Sequence, residues 1–421
     1  VSSTLTPGRD ATTLEPMRGL DRIARRAMLG RLDGLHDGVL SVREGATEHR
    51  FGGPARDGLR AALEVRDPRF WSNAAFGGTV GAGESYILGH WESEDLTSLV
   101  RLMVRNRGLT SRVEGGLARL ANALRRLWHH SRRNTRAGSQ RNIAAHYDLG
   151  NAFFKLMLDP TMAYSCAIYP AADAGLHAAQ LHKFETICRT LDLRPGERLL
   201  EIGTGWGGLA MHAARHHGCE VTTTTISAEQ HAFAAAAIER EGLGGRVRLL
   251  REDYRDLRGR YDKLVSVEMI EAVGHRYLDD YFASCGRLLE PHGAMLLQAI
   301  TIQDQLYAEA LRSVDFIQRF VFPGGFIPSV SAIVDAARRV TDLKLFHLVD
   351  IGPHYATTLA DWRRNVHAHV AEIRALGYPE SFLRLWDFYL AYCEGGFLER
   401  QLGDVQMLLT KPGCRRAPLA P

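Results

Sequence analysis

The apolar positions of this chain change their period repeatedly, and each change marks an element. Over 17–35, MRGLDRIARRAMLGRLDGL, apolar residues recur three and four apart and predict a helix. GVLSVREG and HRFGG flank a polar turn and predict two short strands, and LRAALEVRD predicts another. The glycines of GGTVGAGESYILGHW predict a tight turn, with Ser93 and Asp95 placed to cap the helix that follows. These elements make an α+β module over 17–107, after a tail over 1–16 read as disordered. Residues 108–141 read as a basic, partly helical linker. From 142 the pattern alternates. Apolar runs in ERLLEIG, CEVTTTTIS, RVRLLRED, YDKLVSVEMIEAVG and AMLLQAI are separated by helical stretches such as 177–194 and AEQHAFAAAAIEREG. Short-spaced βαβ alternation predicts an open parallel sheet, hence an α/β module over 142–412 with a tail over 413–421. Within it, 305–340 reads as an inserted helical segment, LKLFHLVDIG and VQMLLTK as late strands, and 355–392 as helical.

A length of 421 residues fits two or three such domains. The six cysteines, at 166, 188, 219, 285, 393 and 414, form no CxxC pair. That spacing argues against a zinc site or a disulfide scaffold and suits a reducing cytoplasm. No window of eighteen apolar residues predicts a membrane span, and the first fifteen residues lack the basic and apolar pattern of a signal peptide. Charge is uneven. Between Arg101 and Arg141 lie eleven arginines and one acid, Glu114, a segment of +10 in a chain whose net charge is +4. Such a stripe attracts polyanions, with anionic lipid headgroups and nucleic acid as the two candidates.

The strongest chemical signal is Glu201-Ile-Gly-Thr-Gly-Trp-Gly-Gly208, a strand running into a glycine turn that opens a helix. Its glycine order is ExGxGxG rather than the GxGxxG of dinucleotide sites, and the acid at the strand end, Glu201, can hold an ammonium group. Both features favour S-adenosylmethionine over NAD. Gly203, Gly205, Trp206 and Gly207 are the loop residues expected to meet the cofactor. At the next two strand ends, Thr225 and Gln230 are placed for its ribose, and Asp253 and Tyr254 for its adenine.

Further motifs carry a family resemblance. HYDLGN at 146–151, Phe153-Phe154, and Tyr164-Ser165-Cys166-Ala167 join EIGTGWGG at 201–208, TISAEQ at 225–230 and DYRDL at 253–257. GESYILGHW at 83–91, QRFVFPGG at 318–325, HYATTLADW at 354–362 and YCEGGFLER at 392–400 extend the set. Together they resemble the cyclopropane-fatty-acyl-phospholipid synthase family over about residues 20–412. The family includes mycolic acid cyclopropane synthases and methyltransferases making 10-methylene fatty acids on the path to tuberculostearic acid.

The resemblance implies a Rossmann-like S-adenosylmethionine-dependent methyltransferase fold with a smaller, lipid-associated N-terminal α+β domain. It implies that Tyr164 and Ser165 join the cofactor site and that His146 and Tyr147 lie on a helix covering it. It also implies a bicarbonate ion held by Cys166, Glu271, the backbone of Ile300, and Tyr355, and places Cys393 near an acyl channel. Two positions depart from the family pattern. Ala272 replaces the histidine of its FEHVG loop, and Gln298 replaces the histidine of its LLHTI strand. Glutamine cannot change charge near neutral pH, so the departure bears on the anion site and on the product.

The implied activity is methyl transfer to a double bond of an unsaturated phospholipid chain. The site must align the alkene, exclude water and remove one proton. Glu271 is the best ionisable group for the last task. Tyr355, Phe316, Phe320 and Phe322 are candidates to face the cationic carbon. The EMIEAVG and LQAIT segments favour a 10-methylene product, with a cyclopropane ring as the alternative. A non-catalytic lipid-binding protein requires a broken cofactor loop, and the loop is intact. A nucleic-acid partner is not expected, since no NPPY-type tetrapeptide is present. The expected partner is instead the anionic phospholipid surface of the inner face of the cell membrane, met peripherally through Arg125, Arg126, Arg132 and Arg133. A homodimer and a reductase acting on a methylene product complete the expected partners.

Overall fold

The computed structural model describes residues 17, 19–111 and 150–419. The 1–16 tail, most of the basic linker, His146, Tyr147, Arg125, Arg126, Arg132 and Arg133 lie outside the described residues. The chain divides into two compact units, residues 1–125 with 379–399 and residues 126–378 with 400–421.

In the first unit a four-stranded sheet has the order β2-β1-β3-β4. Strand β1 (Gly38–Glu44) pairs antiparallel with β2 (Thr47–Gly53) and parallel with β3 (Arg60–Val65), and β3 pairs antiparallel with β4 (Trp91–Glu92). Alternation along β1 buries Leu40 and Val42. Asp95 caps the helix Leu96–Arg105 by accepting the Ser98 N–H at 2.9 Å, as its sequence position predicts. Ser93 does not cap; its hydroxyl donates to the Ala62 carbonyl.

The glycine-rich stretch forms no tight turn. It continues the helix Arg69–Ile87, bent at Gly78, whose φ is +57°. A Cβ on Gly81 would lie 2.0 Å from the Asn73 carbonyl oxygen, so its glycine serves close approach of the two halves of the bend.

The helix Glu380–Leu398 also belongs to this unit, whereas the sequence pattern ran it on with the α/β module. Its Asp387 accepts a hydrogen bond from the Tyr86 hydroxyl at 2.9 Å, and Arg384 stacks 4.1 Å over the Tyr86 ring while bonding Glu92 and the Trp91 carbonyl. The GESYILGHW and YCEGGFLER motifs are thus parts of one small domain. A Cβ on Gly395 would lie 2.6 Å from Val100 Cγ1, which explains a glycine within this helix. Cys393 sits on the same helix. Arg101 and Arg105 each bond both Asp57 and Glu399, so these two members of the basic stripe are already paired.

The second unit is built on a seven-stranded sheet of order β10-β11-β9-β8-β5-β6-β7. Its strands are β5 (Arg198–Ile202), β6 (Glu220–Thr224), β7 (Val247–Leu250), β8 (Tyr261–Val267), β9 (Leu289–Ile302), β10 (Lys344–Asp350) and β11 (Leu402–Thr410). β5 to β9 are parallel to their neighbours, while β11 runs antiparallel to both β9 and β10. Both faces are covered, which accounts for the near-continuous apolar strands. The helices Leu278–Leu288 and Val330–Val340 pack on one face around Leu264, Met295 and Met407. Leu176–Leu191 and Gly208–His212 pack on the other around Leu199, Val221 and Leu296. The six cysteines are all free. After β11, Arg416 donates to the Thr190 carbonyl.

Candidate active site

Ligands of an open parallel sheet bind beyond the carboxyl ends of its strands, where the chain order reverses. Here that point lies at β5 and its neighbours β6 and β8. β5 runs into the glycine loop, with Gly203, Gly205 and Gly207 at φ of +102°, +52° and +92°. Side chains other than glycine are strained in that region. A Cβ on Gly205 would have no atom within 4 Å, so the loop presents open backbone at its centre. A Cβ on Gly208 would meet the Thr161 carbonyl oxygen at 2.7 Å and Phe184 at 3.1 Å, so that glycine serves packing.

The other expected cofactor residues differ in how they are engaged. Glu201 is buried and accepts the Thr223 hydroxyl at 2.5 Å; burial pushes its carboxyl up to about 8. A cation beside it would stabilise its charged form. Trp206 is buried, donates to Asn151 at 2.7 Å and packs 4.9 Å from Phe154, tying the loop to the helix Asn151–Met157. Thr225 donates to Gln230 at 3.0 Å across the turn after β6, and Ser227 caps the next helix. Asp253 is held by Arg255 through both carboxylate oxygens, and Tyr254 meets Tyr281 edge-on. Tyr164 packs among Phe154, Trp362 and Phe322. Ser165 accepts the ammonium of the buried Lys183 at 2.6 Å. Phe316 is buried against Phe320.

The expected anion holders converge beside the β8 end, but on a residue that the sequence pattern did not single out. Glu268, the first residue past β8, accepts the Cys166 backbone N–H and the Gln298 side-chain amide on one oxygen, both at 2.8 Å. Its other oxygen accepts the Tyr355 hydroxyl at 2.6 Å. Gln298 is buried and accepts in turn from Gln406 at 3.0 Å. Asp404 on β11 is buried beside them; burial and the Glu268 charge push its carboxyl well above the usual range.

Glu271 lies one short turn further on. Its Oε1 accepts the Ile300 N–H at 2.6 Å, so the backbone donor expected to hold bicarbonate already has a carboxylate partner. Its Oε2 is sealed from solvent with no hydrogen-bond partner. Burial, reinforced by Glu268, pushes the Glu271 carboxyl up to about 8. The Cys166 thiol is fully buried and its pKa is raised by that burial and by the neighbouring Asp404 and Glu268, while its backbone N–H donates to Glu268.

Residues 134–407 match the mycolic acid cyclopropane synthetase family. The chain belongs to it. Among curated relatives, the tuberculostearic acid methyltransferase UfaA1 of Mycobacterium tuberculosis is 38% identical over 345 residues, 80% of each chain. The cyclopropane-fatty-acyl-phospholipid synthase of Escherichia coli K12 is 37% identical over 363 residues, 83% of this chain and 88% of that one. Among solved structures, the cyclopropane synthase MmaA2 from M. tuberculosis superposes with a TM-score of 0.61 at 30% identity, covering 65% of this chain and 98% of that one. The mycolic acid cyclopropane synthase CmaA1, solved with SAH and CTAB, gives the same TM-score and identity over the same shares of each chain.

The chain is therefore an S-adenosylmethionine-dependent methyltransferase acting on unsaturated fatty-acyl chains. The open Gly205 backbone fits that cofactor, with Glu201 behind it. Among the described residues no helix is long and apolar enough to cross a membrane.

Proposed function

We propose that this methyltransferase converts the double bond of an unsaturated phospholipid chain into a 10-methylene branch. S-adenosylmethionine supplies a methyl group on a sulfonium, a strong electrophile. Gly203, Gly205 and Gly207 hold it against backbone, with Thr225 and Gln230 toward its ribose and Asp253 and Tyr254 toward its adenine. Trp206 anchors the helix that begins at Asn151 over the loop, which excludes water from a cationic centre.

The observation that carries the methylene reading is Gln298. It is buried and fixed by Gln406 and Glu268, in the place where the family pattern has a histidine. A neutral amide there neither takes nor gives a proton, so the charge balance around the cation differs from that of a ring-forming site. The similarity to a tuberculostearic acid methyltransferase supports the same reading. The comparable similarity to a cyclopropane synthase favours the ring as the second reading.

The substrate reaches the enzyme at the inner face of the cell membrane, where the basic segment around Arg125, Arg126, Arg132 and Arg133 meets anionic headgroups. Leu20 and Ile23, each 66% exposed on a helix that also carries Arg22 and Arg26, support lipid contact by the first unit. A homodimer and a reductase that consumes the methylene product belong to the same reading.

The test is incubation with S-adenosylmethionine and an oleoyl phospholipid, then proton spectra of the fatty esters. Vinylic CH₂ signals are expected. High-field ring protons in their place refute the methylene assignment, and both products add the same CH₂ mass.

A further inference from the structure

We propose that Glu268 is the base of this reaction, a carboxylate built into the chain where an external anion would otherwise be needed. The inference rests on the methylation of an alkene argued above. Three donors from three separate parts of the unit meet on this one side chain: the Cys166 N–H, the Gln298 amide on β9 and the Tyr355 hydroxyl on the helix Gly352–Ala368. Two of these residues, Cys166 and Tyr355, and the neighbouring Ile300 N–H are the groups from which a bicarbonate site was expected. In the folded chain Glu268 engages the first two and Glu271 the third.

The backbone makes the same point. Glu268 has a φ of +47°, a strained region for a residue with a Cβ. Its own N–H donates to the Gln298 carbonyl at 2.8 Å, and Met269 beyond it lies 3.2 Å from where a Gly203 Cβ would be. The strained turn therefore lies against the glycine loop through Met269. Stability does not explain the arrangement. Glu268 feels the charge of the buried Lys183, whose ammonium is bonded to Ser165, while Asp404 and Glu271 stand near it. Gathering three acids near a single buried cation, Lys183, leaves their charge only partly compensated and costs folding free energy. The group is half-buried, so it is shielded but within reach of a substrate.

The step balances within the site. The S–CH₃ bond breaks as the methyl bonds one alkene carbon, the hydrogen on that carbon shifts with its electron pair to the neighbouring cationic carbon, and one C–H bond of the methyl then breaks, its electron pair becoming the second bond of the exocyclic C=CH₂. The proton passes to the Glu268 carboxylate, which becomes a neutral acid and returns the proton to water after product leaves. Asp404, whose carboxyl is pushed well above the usual range, stands beside Glu268 and shares the Gln298 amide, which approaches its Oδ2 at 3.3 Å.

The experiment uses the full chain with S-adenosylmethionine and oleoyl phospholipid vesicles, in buffer stripped of carbon dioxide and in the same buffer with bicarbonate added. The parent is expected to turn over at the same rate in both. Glu268→Gln and Glu268→Ala are expected to bind S-adenosylmethionine like the parent in calorimetry but to lose about two orders of magnitude in rate. Added bicarbonate or formate should restore part of the Glu268→Ala rate, since a small anion fits the space vacated, and should leave Glu268→Gln slow. Rescue separates a proton acceptor from a side chain that only supports the fold.

A parent that stops without bicarbonate overturns the proposal while leaving the proposed function intact, and it needs no variant to fold. A parent-like rate for Glu268→Gln also overturns it. A parent that makes no methylated lipid in either buffer refutes the proposed function itself.

Discussion

Replacing Glu271 by glutamine tests both the chemistry and the electrostatics of the site. The side chain keeps nearly its volume, and its carbonyl oxygen can still accept the Ile300 N–H that Glu271 accepts at 2.6 Å. What disappears is a carboxyl pushed from its ordinary 4.5 to about 8 by burial and by the neighbouring Glu268 charge. The sign follows from linkage. The folded state holds this proton more tightly than the unfolded chain, so the parent loses stability as pH rises from 4.5 to about 8. Near pH 5 the loss is under about 1 kcal/mol, and near pH 8 it reaches roughly 4 kcal/mol, from 1.36 kcal/mol per tenfold difference in proton affinity. The glutamine variant has no such proton to lose.

Urea unfolding at pH 5 and pH 8 is therefore expected to show the two proteins alike at the lower pH and the variant more stable at the higher. Both keep a slope from Glu201, whose carboxyl is raised into the same window. At neutral pH the rate of methylated-lipid formation should stay within about tenfold of the parent, because the proton passes to Glu268 and glutamine reproduces a Glu271 that is already held neutral. Parallel stability curves for parent and variant would show that Glu271 is not held neutral, and a loss of about two orders of magnitude in rate would make Glu271 rather than Glu268 the acid–base group.

Gln298→His should change the ratio of vinylic to ring protons in the product esters, because a titratable ring would then face Glu268 and Asp404; an unchanged ratio moves product choice elsewhere in the cavity. Gly205→Leu should abolish S-adenosylmethionine binding in a titration while the protein still melts cooperatively, at a somewhat lower temperature because of the positive φ, since a Cβ there meets no atom within 4 Å and the side chain beyond it fills the cofactor's approach; retained affinity removes the loop from the site. Reversing charge at Arg125, Arg126, Arg132 and Arg133 should lower sedimentation with anionic liposomes at low salt and leave free cofactor affinity unchanged; equal sedimentation refutes the membrane assignment.

Much of the second unit was legible because its signals are local. Apolar runs such as Leu199-Leu200 and Leu296-Leu297 read as buried strands wherever they pack, and ExGxGxG after a strand bends the backbone by the freedom of its own glycines. The Asp95 cap is equally local, with its acceptor three residues from its donor. The departures at Ala272 and Gln298 were also visible in one dimension, since they are identities at fixed places in a motif.

Tertiary structure decided the rest. The glycines of 77–83 read as a turn, yet they let a bent helix touch itself, a use of small residues that only the facing backbone reveals. The helix Glu380–Leu398 carries an apolar face that names no partner; Tyr86, Glu92 and Val100, nearly three hundred residues earlier, supply it. The sharpest case is the pair Glu268 and Glu271. They are the same residue type three positions apart, and the family pattern points to the second. Which carboxylate receives the donors depends on a positive φ at Glu268 and on Cys166, Gln298 and Tyr355, brought together from 102, 30 and 87 positions away. Residue identity sets what a carboxylate is able to do, but its charge, partners and aim are set by groups that become its neighbours only when the sheet closes around it.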